Sequence, residues 1–467
     1  MARVVVLGAG ICGLAGAMML ARDGHDVTVL ERDPAPPPVS PAKAWDSWER
    51  DGVKQFRQAH YLQPSGRAVL EKELPDVCDA MLAAGAVVFN PLMLMPPWIT
   101  DRAPRDGDLR YPTITGRRPT LELAVALAAE ADPRVEVRRG TAVEALLTAP
   151  GDGTVHVTGV RTEDGEELAA DVVVDALGRR SPSSAWLAAA GAEPLHEEAE
   201  DLGFVYYSRF FRGDVLPQPR GPLLTHLESF SLLTLPGDSG TWSITVVADG
   251  GDRPLKRVRD EERWNAVVAA CPLAAPWLEG EPATEVLAMG GILDRHRRVM
   301  VDGRPVATGI ALLADACAST NPSLGRGMGL GLSHARALRD VLREDAGDPL
   351  DFAAAWDAAT EAELMPWYRD TVREDTARMA QIRAVRDATE PPAPGGREDA
   401  VFAALPFAAI QDPDLFRVML AHRCCIGPPT AVLDDPDLAE RVLELAAAAE
   451  APPPLGPDRE ELLAMLA

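Results

Sequence analysis

No CxxC pair and no zinc-type spacing joins the six cysteines, Cys12, Cys78, Cys271, Cys317, Cys424 and Cys425. Scattered thiols of this kind fit a reduced compartment better than a disulfide framework, and the adjacent Cys424 and Cys425 read as packing. No basic stretch interleaved with aromatics is present, and 71 acidic against 46 basic residues leave a formal charge of -25. Such a field opposes binding to nucleic acid or anionic membrane. No apolar run approaches the roughly 20 residues that cross a bilayer, and no secretory leader precedes the first strand. A cytoplasmic protein without membrane insertion is therefore expected. Internal repeats and low-complexity tails are also missing, and only short proline-rich joints interrupt the chain, at Pro34–Pro41, Pro391–Gly396 and Pro452–Pro457. What remains is an ordinary globular composition: 467 residues, 47% of them hydrophobic, enough for a large core and two or three domains.

The stretch VVVLGAGICGLAGAMMLARDGHDVTVLERD, Val4 to Asp33, organises the rest. Its apolar run Val4 to Leu7 predicts a strand buried on both faces, and Gly8, Gly10 and Gly13 follow at GxGxxG spacing. The first glycine permits a sharp turn, the second clears backbone for a pyrophosphate, and the third lets the helix lie close to the sheet. The N-terminus of that helix faces the phosphates with free N–H groups and a positive dipole end. Gly24 stops the helix, and a second strand, VTVLE, carries Glu31 at its tip, where a carboxylate can accept both hydroxyls of an adenosine ribose. Arg32 follows directly. Strand, glycines, helix, strand and acid fall in register, which predicts a dinucleotide site.

Further along, GVKQFRQAHYL offers Arg57 and His60 as candidate active-site or cofactor contacts, and a helix is expected over residues 65–84, ended by Gly85. Arg117 and Arg118 precede an amphipathic helix in TGRRPTLELAVALAAEAD, a position suited to meeting a phosphate or ribityl chain. Another apolar strand, Asp171 to Asp175, ends in DALGRRSPSSAWL, at the strand end where ligands of parallel sheets bind. Between Gly203 and Asp249 the period changes to two, which predicts an inserted antiparallel sheet. Its aromatics Tyr206, Phe210 and Trp242 are candidate substrate contacts. A second strand-and-glycine stretch, GIALLADACASTNPSLGRGMGLGL, brings Asp315, Pro322, Gly325, Gly327, Met328 and Gly329 to the start of another helix. Glycines there disfavour helix but allow a planar ligand to approach backbone, and the helix dipole can stabilise negative charge. From Pro349 onward the pattern is helical, with Leu364, Trp367, Tyr368 and Val372 on one face and starts at Asp412, Asp435 and Asp458. This part is expected to cover the sheet or close a pocket.

With these stretches in place, the chain resembles the flavin-dependent monooxygenases of the para-hydroxybenzoate hydroxylase class over about its first 340 residues. GAGICG with Glu31 is similar to that class's ADP-binding fingerprint, RRPTLE to its FAD-contacting arginine segment, and LADACASTNPSLGRGMGLGL to its second FAD motif. GVKQFRQAH, DVVVDALGRRSPSSAWL and YYSRFF resemble a branch containing polyether-pathway epoxidases, with squalene epoxidase more distant. Two departures stand out. The class's usual Asp-Gly pair reads Leu177-Gly178, which weighs against direct reduction by NADPH, and the glycine before the second-motif aspartate is Ala314. No GWxWxIP segment is present, which disfavours halogenation.

The resemblance implies an α/β fold. A Rossmann-like FAD-binding domain (residues 1–200 and 286–345) carries an inserted antiparallel substrate domain (201–285) and a C-terminal helical region (346–467). It implies FAD as cofactor, with NADPH or NADH as electron source, directly or through a partner flavin reductase. It also implies transfer of one oxygen atom from O2, through a flavin C4a-hydroperoxide, to an apolar secondary metabolite by epoxidation or hydroxylation. Implied cofactor residues are Gly8, Gly10, Gly13, Glu31, Arg32, Arg118, Asp315, Pro322, Gly325, Gly327, Met328 and Gly329. Arg57, His60 and Pro322 are the candidates nearest to catalysis; no metal ligands and no convincing general base emerge. The alternatives are an FAD-dependent reductase of the geranylgeranyl reductase type and a flavin-binding subunit without turnover.

Overall fold

The computed structural model describes residues 1–150, 154–344, 347–449 and 454–467, so Pro452 and Pro453 of the last proline-rich joint lie outside the described residues. Strand β1 (Arg3–Leu7), helix α1 (Ile11–Arg22) and strand β2 (Asp26–Glu31) form the expected unit. The helix α2 (Arg118–Ala131) then leads to β3 (Val135–Arg139), which pairs in parallel with β2, while β4 (Val172–Asp175) pairs in parallel with β1. Residues Val4, Val6 and Leu7 of β1 are almost fully buried, as a parallel strand covered on both faces requires.

The inserted sheet contains β5 (Phe204–Arg212), β6 (Leu224–His226), β7 (Ser231–Pro236) and β8 (Thr241–Asp249), antiparallel in the order β6-β7-β8-β5. Alternation predicts one wet face, yet every residue of β8 is buried. Helix Glu261–Ala269 places Trp264, Val267 and Val268 against one face, and Met379 from the C-terminal helices packs with Tyr206 and Val247 on the other. Strand β9 (Ile310–Leu312) then returns to the parallel sheet and completes its order, β9-β4-β1-β2-β3. Helix α3 (Gly327–Glu344) lies over α1, with Leu332, Ala335 and Leu338 in the same core as Leu14, Met18 and Ala15.

Helices α4 (Met365–Asp387), α5 (Arg397–Ala409) and α6 (Pro413–Arg423) dominate the C-terminal region. Asp412 and Asp435 each accept two backbone N–H bonds at the start of a helix, and Asp458 forms a capping box with Glu461. Two expectations change. The helix foreseen over 65–84 is two, Pro64–Glu73 and Pro75–Ala83, because Pro75 cannot continue the first. A three-stranded sheet of His196–Glu200, Asp294–Arg298 and Ala318–Ser319 also forms; every residue of HEEAE is exposed, and it carries no apolar alternation to announce it. Among the described residues no helix is long and apolar enough to cross a membrane.

Candidate active site

A cavity of about 2380 Å³ runs from the first glycine turn to the C-terminal helices. At its nucleotide end Gly8 has φ +99°, and a Cβ there would lie 2.9 Å from the Ala176 carbonyl oxygen. A Cβ on Gly13 would sit 2.3 Å from the Gly8 carbonyl oxygen, so this glycine lets α1 close on the turn. Gly10 differs: its Cβ would meet nothing within 4 Å and would project into the space the turn leaves clear. Gly10→Ala is therefore expected to change stability by less than about 1 kcal/mol while weakening FAD binding at least tenfold. Gly13→Ala should destabilise the fold itself by about 1–3 kcal/mol. Thermal unfolding of the apo-protein, with and without added FAD, separates the two.

Glu31 is fixed by three donors: the Ala9 and Asp33 N–H groups at 3.0 Å and Arg50 Nη2 at 2.8 Å. Arg50, absent from the motif reading, is nearly inaccessible and also reaches Asp33 at 3.3 Å and Glu122 at 3.6 Å. One guanidinium thus holds three carboxylates from β2, its following turn and α2. Burial, then the neighbouring Glu31 charge, pushes the Asp33 carboxyl above its usual range. Glu122 pairs with Arg118 at 2.8 Å, and Arg118 in turn donates to His60 Nε2 at 3.1 Å. With Nδ1–H donating to the Gln58 carbonyl at 2.9 Å, His60 is a neutral acceptor that orients Arg118. Burial and the Arg118 charge push His60 down to about 3.

Further in, Asp315 lies on the wall of the cavity and has no hydrogen-bond partner among the described residues. Burial raises its carboxyl above the usual range, partly offset by Arg118 and Arg179. A carboxylate so placed fits a polyhydroxyl chain that donates to it. Ala314, standing where the class has glycine, adopts φ +52°, a left-handed backbone. Pro322, Gly325, Gly327 and Met328 line the cavity, but Gly329 does not: a Cβ there would meet Gln63 and Ser65 at 3.1 Å. Its role is to let α3 pack on the helix Pro64–Glu73. Gly331 likewise makes room for Cys12, whose Sγ would lie 2.5 Å from an added Cβ. Arg326, inside the glycine run, is buried and pairs with Asp370 at 2.8 Å and Glu374 at 3.0 Å, tying this loop to α4.

Several sequence candidates sit elsewhere. Arg57 donates to the Trp45 and Trp48 carbonyls and braces a loop. Tyr206, Phe210 and Trp242 do not line the cavity. The Tyr206 hydroxyl donates to Asn321, Phe210 packs edge-on to Trp45, and Trp242 Nε1 donates to the Trp277 carbonyl. Trp242 faces the helix-covered layer, and Tyr206 and Phe210, on the same sheet face as the cavity-lining Leu233 and Leu235, are covered by their neighbours, which a period-two pattern cannot reveal. Ser181 and Ser183 likewise turn inward and donate to buried Asp175, whereas Arg179 and Arg180 line the cavity, as does exposed Arg32 at its rim. The far half of the cavity has an apolar wall of Met93, Leu233, Leu235, Phe407, Phe416 and Met419, from the segment after Asn90, the inserted sheet, α5 and α6, and a charged one that includes Arg373, Glu374 and Arg378 of α4.

Residues 3–40 match a family described as FAD dependent oxidoreductase. Over 402 residues, 79% of either chain, the sequence is 29% identical to protein Rv3254 of Mycobacterium tuberculosis. Among solved structures it is similar to PqsL of Pseudomonas aeruginosa, described as a probable FAD-dependent monooxygenase. Identity is 20% and TM-score 0.54, with 83% of this chain and 99% of PqsL covered. It is also similar to OxyS, the anhydrotetracycline hydroxylase of Streptomyces rimosus, at 18% identity and TM-score 0.55, over 91% of this chain and 76% of OxyS. The fold is shared with these solved structures, and its nucleotide end carries the segment that matches the FAD dependent oxidoreductase family.

Proposed function

We propose that this protein is an FAD-dependent monooxygenase that inserts one atom of O2 into an apolar small molecule of secondary metabolism, by hydroxylation or epoxidation. The observation that carries the reading is the continuity of one cavity. Its first half offers the glycine turn, Glu31 and Asp315, and its second half is a mainly apolar chamber roofed by α5 and α6. Bound flavin supplies oxygen activation there. The backbone around Gly8 to Gly13 would receive the pyrophosphate, Glu31 the ribose and Asp315 the ribityl chain, while Arg118 is held by Glu122 and His60 beside them. The chain's remaining tasks are to seat the substrate and exclude water, which the apolar chamber walls can do. No residue in the chamber is required as a general base if the acceptor is an alkene.

Leu177 lines the cavity, with its N–H donating to Asp175 at 3.0 Å. A leucine here in place of an acid favours reduction by a separate flavin reductase. Anaerobic NADH or NADPH is then expected to bleach the bound FAD far more slowly than reductase-generated electrons do; fast bleaching by either nicotinamide contradicts this. The oxygenase reading itself is tested under ¹⁸O2 with reduced holoenzyme and a panel of alkenes and phenols. One labelled oxygen in the product is expected, whereas a hydrogenated product without oxygen uptake supports the reductase alternative.

A further inference from the structure

The arginines packed on and around the α4 wall of the chamber are paired with carboxylates, with one exception among the described residues. Arg326, Arg373 and Arg423 each pair with Asp370 or Glu374, and His422 Nε2 lies 3.0 Å from Asp370. Arg378, on the same helix and also lining the cavity, has no carboxylate oxygen within 4.0 Å among the described residues. In a chain of formal charge -25, a shortage of acids does not explain this.

The donors of Arg378 are unevenly used. Its Nε donates to Ser231 Oγ at 3.0 Å and its Nη2 to the Leu227 and Phe230 carbonyls at 2.5 and 2.6 Å. These bonds hold the guanidinium against the turn between β6 and β7. Nη1 has only a 3.4 Å contact to Gln381 Oε1, so at least one of its N–H groups is left for a ligand. Ser231 Oγ, receiving the Nε–H, turns its own hydrogen to His226 Nδ1 at 2.9 Å. No other acceptor contacts the Ser231 hydroxyl among the described residues, and with its hydrogen assigned to Nδ1 the imidazole proton is on Nε2. His226 lines the cavity as an exposed residue of its strand, and desolvation by the protein packed around it, then the Arg378 charge, lowers its imidazole to about 3. The result is a fixed cation with free N–H and a second N–H donor, on one hairpin end at the apolar chamber.

We propose that Arg378 and His226, coupled through Ser231, form a docking site for an anionic oxygen group of the substrate, a carboxylate or its equivalent, on an otherwise apolar molecule. This deepens the monooxygenase reading, on which it rests only in calling the ligand a substrate. A charge-assisted pair of this kind discriminates by about tenfold to a hundredfold between an anion and its neutral isostere.

The test is calorimetric titration of the FAD-loaded full chain with naphthoate and with naphthamide, which share a ring system and differ in charge. Naphthoate is expected to bind at least about tenfold more tightly. Arg378→Gln should abolish the difference while keeping naphthamide affinity, Arg378→Lys should restore part of it, and His226→Phe should reduce it several-fold. Equal affinities in the unaltered protein overturn the proposal, as does failure of both ligands to bind or a preference that survives Arg378→Gln. The first two outcomes need no variant, so misfolding of Arg378→Gln cannot obscure the result. Binding heat is read whether or not oxygen is transferred, so failure here is separable from failure of the oxygenase reading.

Discussion

Replacing Arg50 by methionine is expected to lower the stability of the apo-protein by about 3–5 kcal/mol, the usual penalty for stranding buried charge. The guanidinium pairs with Glu31, Asp33 and Glu122 at once, and its hydrogen bond to the Ala9 carbonyl at 3.1 Å joins the acids to the glycine turn. The pH dependence follows from the same geometry. Without Arg50 the folded carboxyls hold their protons to higher pH than the unfolded ones do, so the folded state binds more protons. The deficit should then shrink as pH falls from about 8 to about 5. Denaturant unfolding at the two pH values checks this. A loss below about 1 kcal/mol, or one equal at both pH values, contradicts a charge-clamp role for Arg50.

The second large effect divides binding from folding. Asp315→Asn should weaken FAD binding by about tenfold to a hundredfold, because a charged acceptor of ribityl hydroxyls becomes a neutral one. The same change should leave the apo-protein as stable as before or more so, since burial already disfavours the Asp315 charge and no protein donor satisfies it. Equilibrium FAD release and apo-protein unfolding, measured side by side, read the two signs. Unchanged FAD affinity would remove Asp315 from the cofactor site, and a large loss of apo stability would make it structural.

The residues legible in the sequence share one property: their role is set by local spacing. Gly8, Gly10, Gly13 and Glu31 fall within a single βαβ unit, so the period of the chain announces them, and the caps Asp412, Asp435 and Asp458 need only the turn that follows. Arg50 and Arg326 were not legible as site residues. Their partners lie 17 to 72 and 44 to 48 positions away, as Asp33 to Glu122 and Asp370 to Glu374, and no spacing marks an arginine that clamps across elements. The aromatics failed for the opposite reason. Tyr206, Phe210 and Trp242 obey a clear alternation, but Trp242 lies on the face covered by Trp264 and Val267, and on the cavity face of Leu233 and Leu235 the rings of Tyr206 and Phe210 are covered by Met379 and Trp45. Gly329 shows the limit within a motif, since a glycine needed for helix packing and one needed for ligand approach are identical in sequence. The chamber wall was invisible because α4, α5, α6 and the β6-β7 hairpin meet only in the folded chain.

The central claim, that the protein activates oxygen for transfer, is tested most directly by mixing anaerobically reduced holoenzyme with O2 and following oxygen and flavin absorbance together. Oxygen is expected to disappear before the oxidised flavin spectrum returns, in at least two kinetic phases. A reduced enzyme that ignores O2, or one whose oxidised spectrum returns in step with oxygen loss and stoichiometric hydrogen peroxide, contradicts the claim.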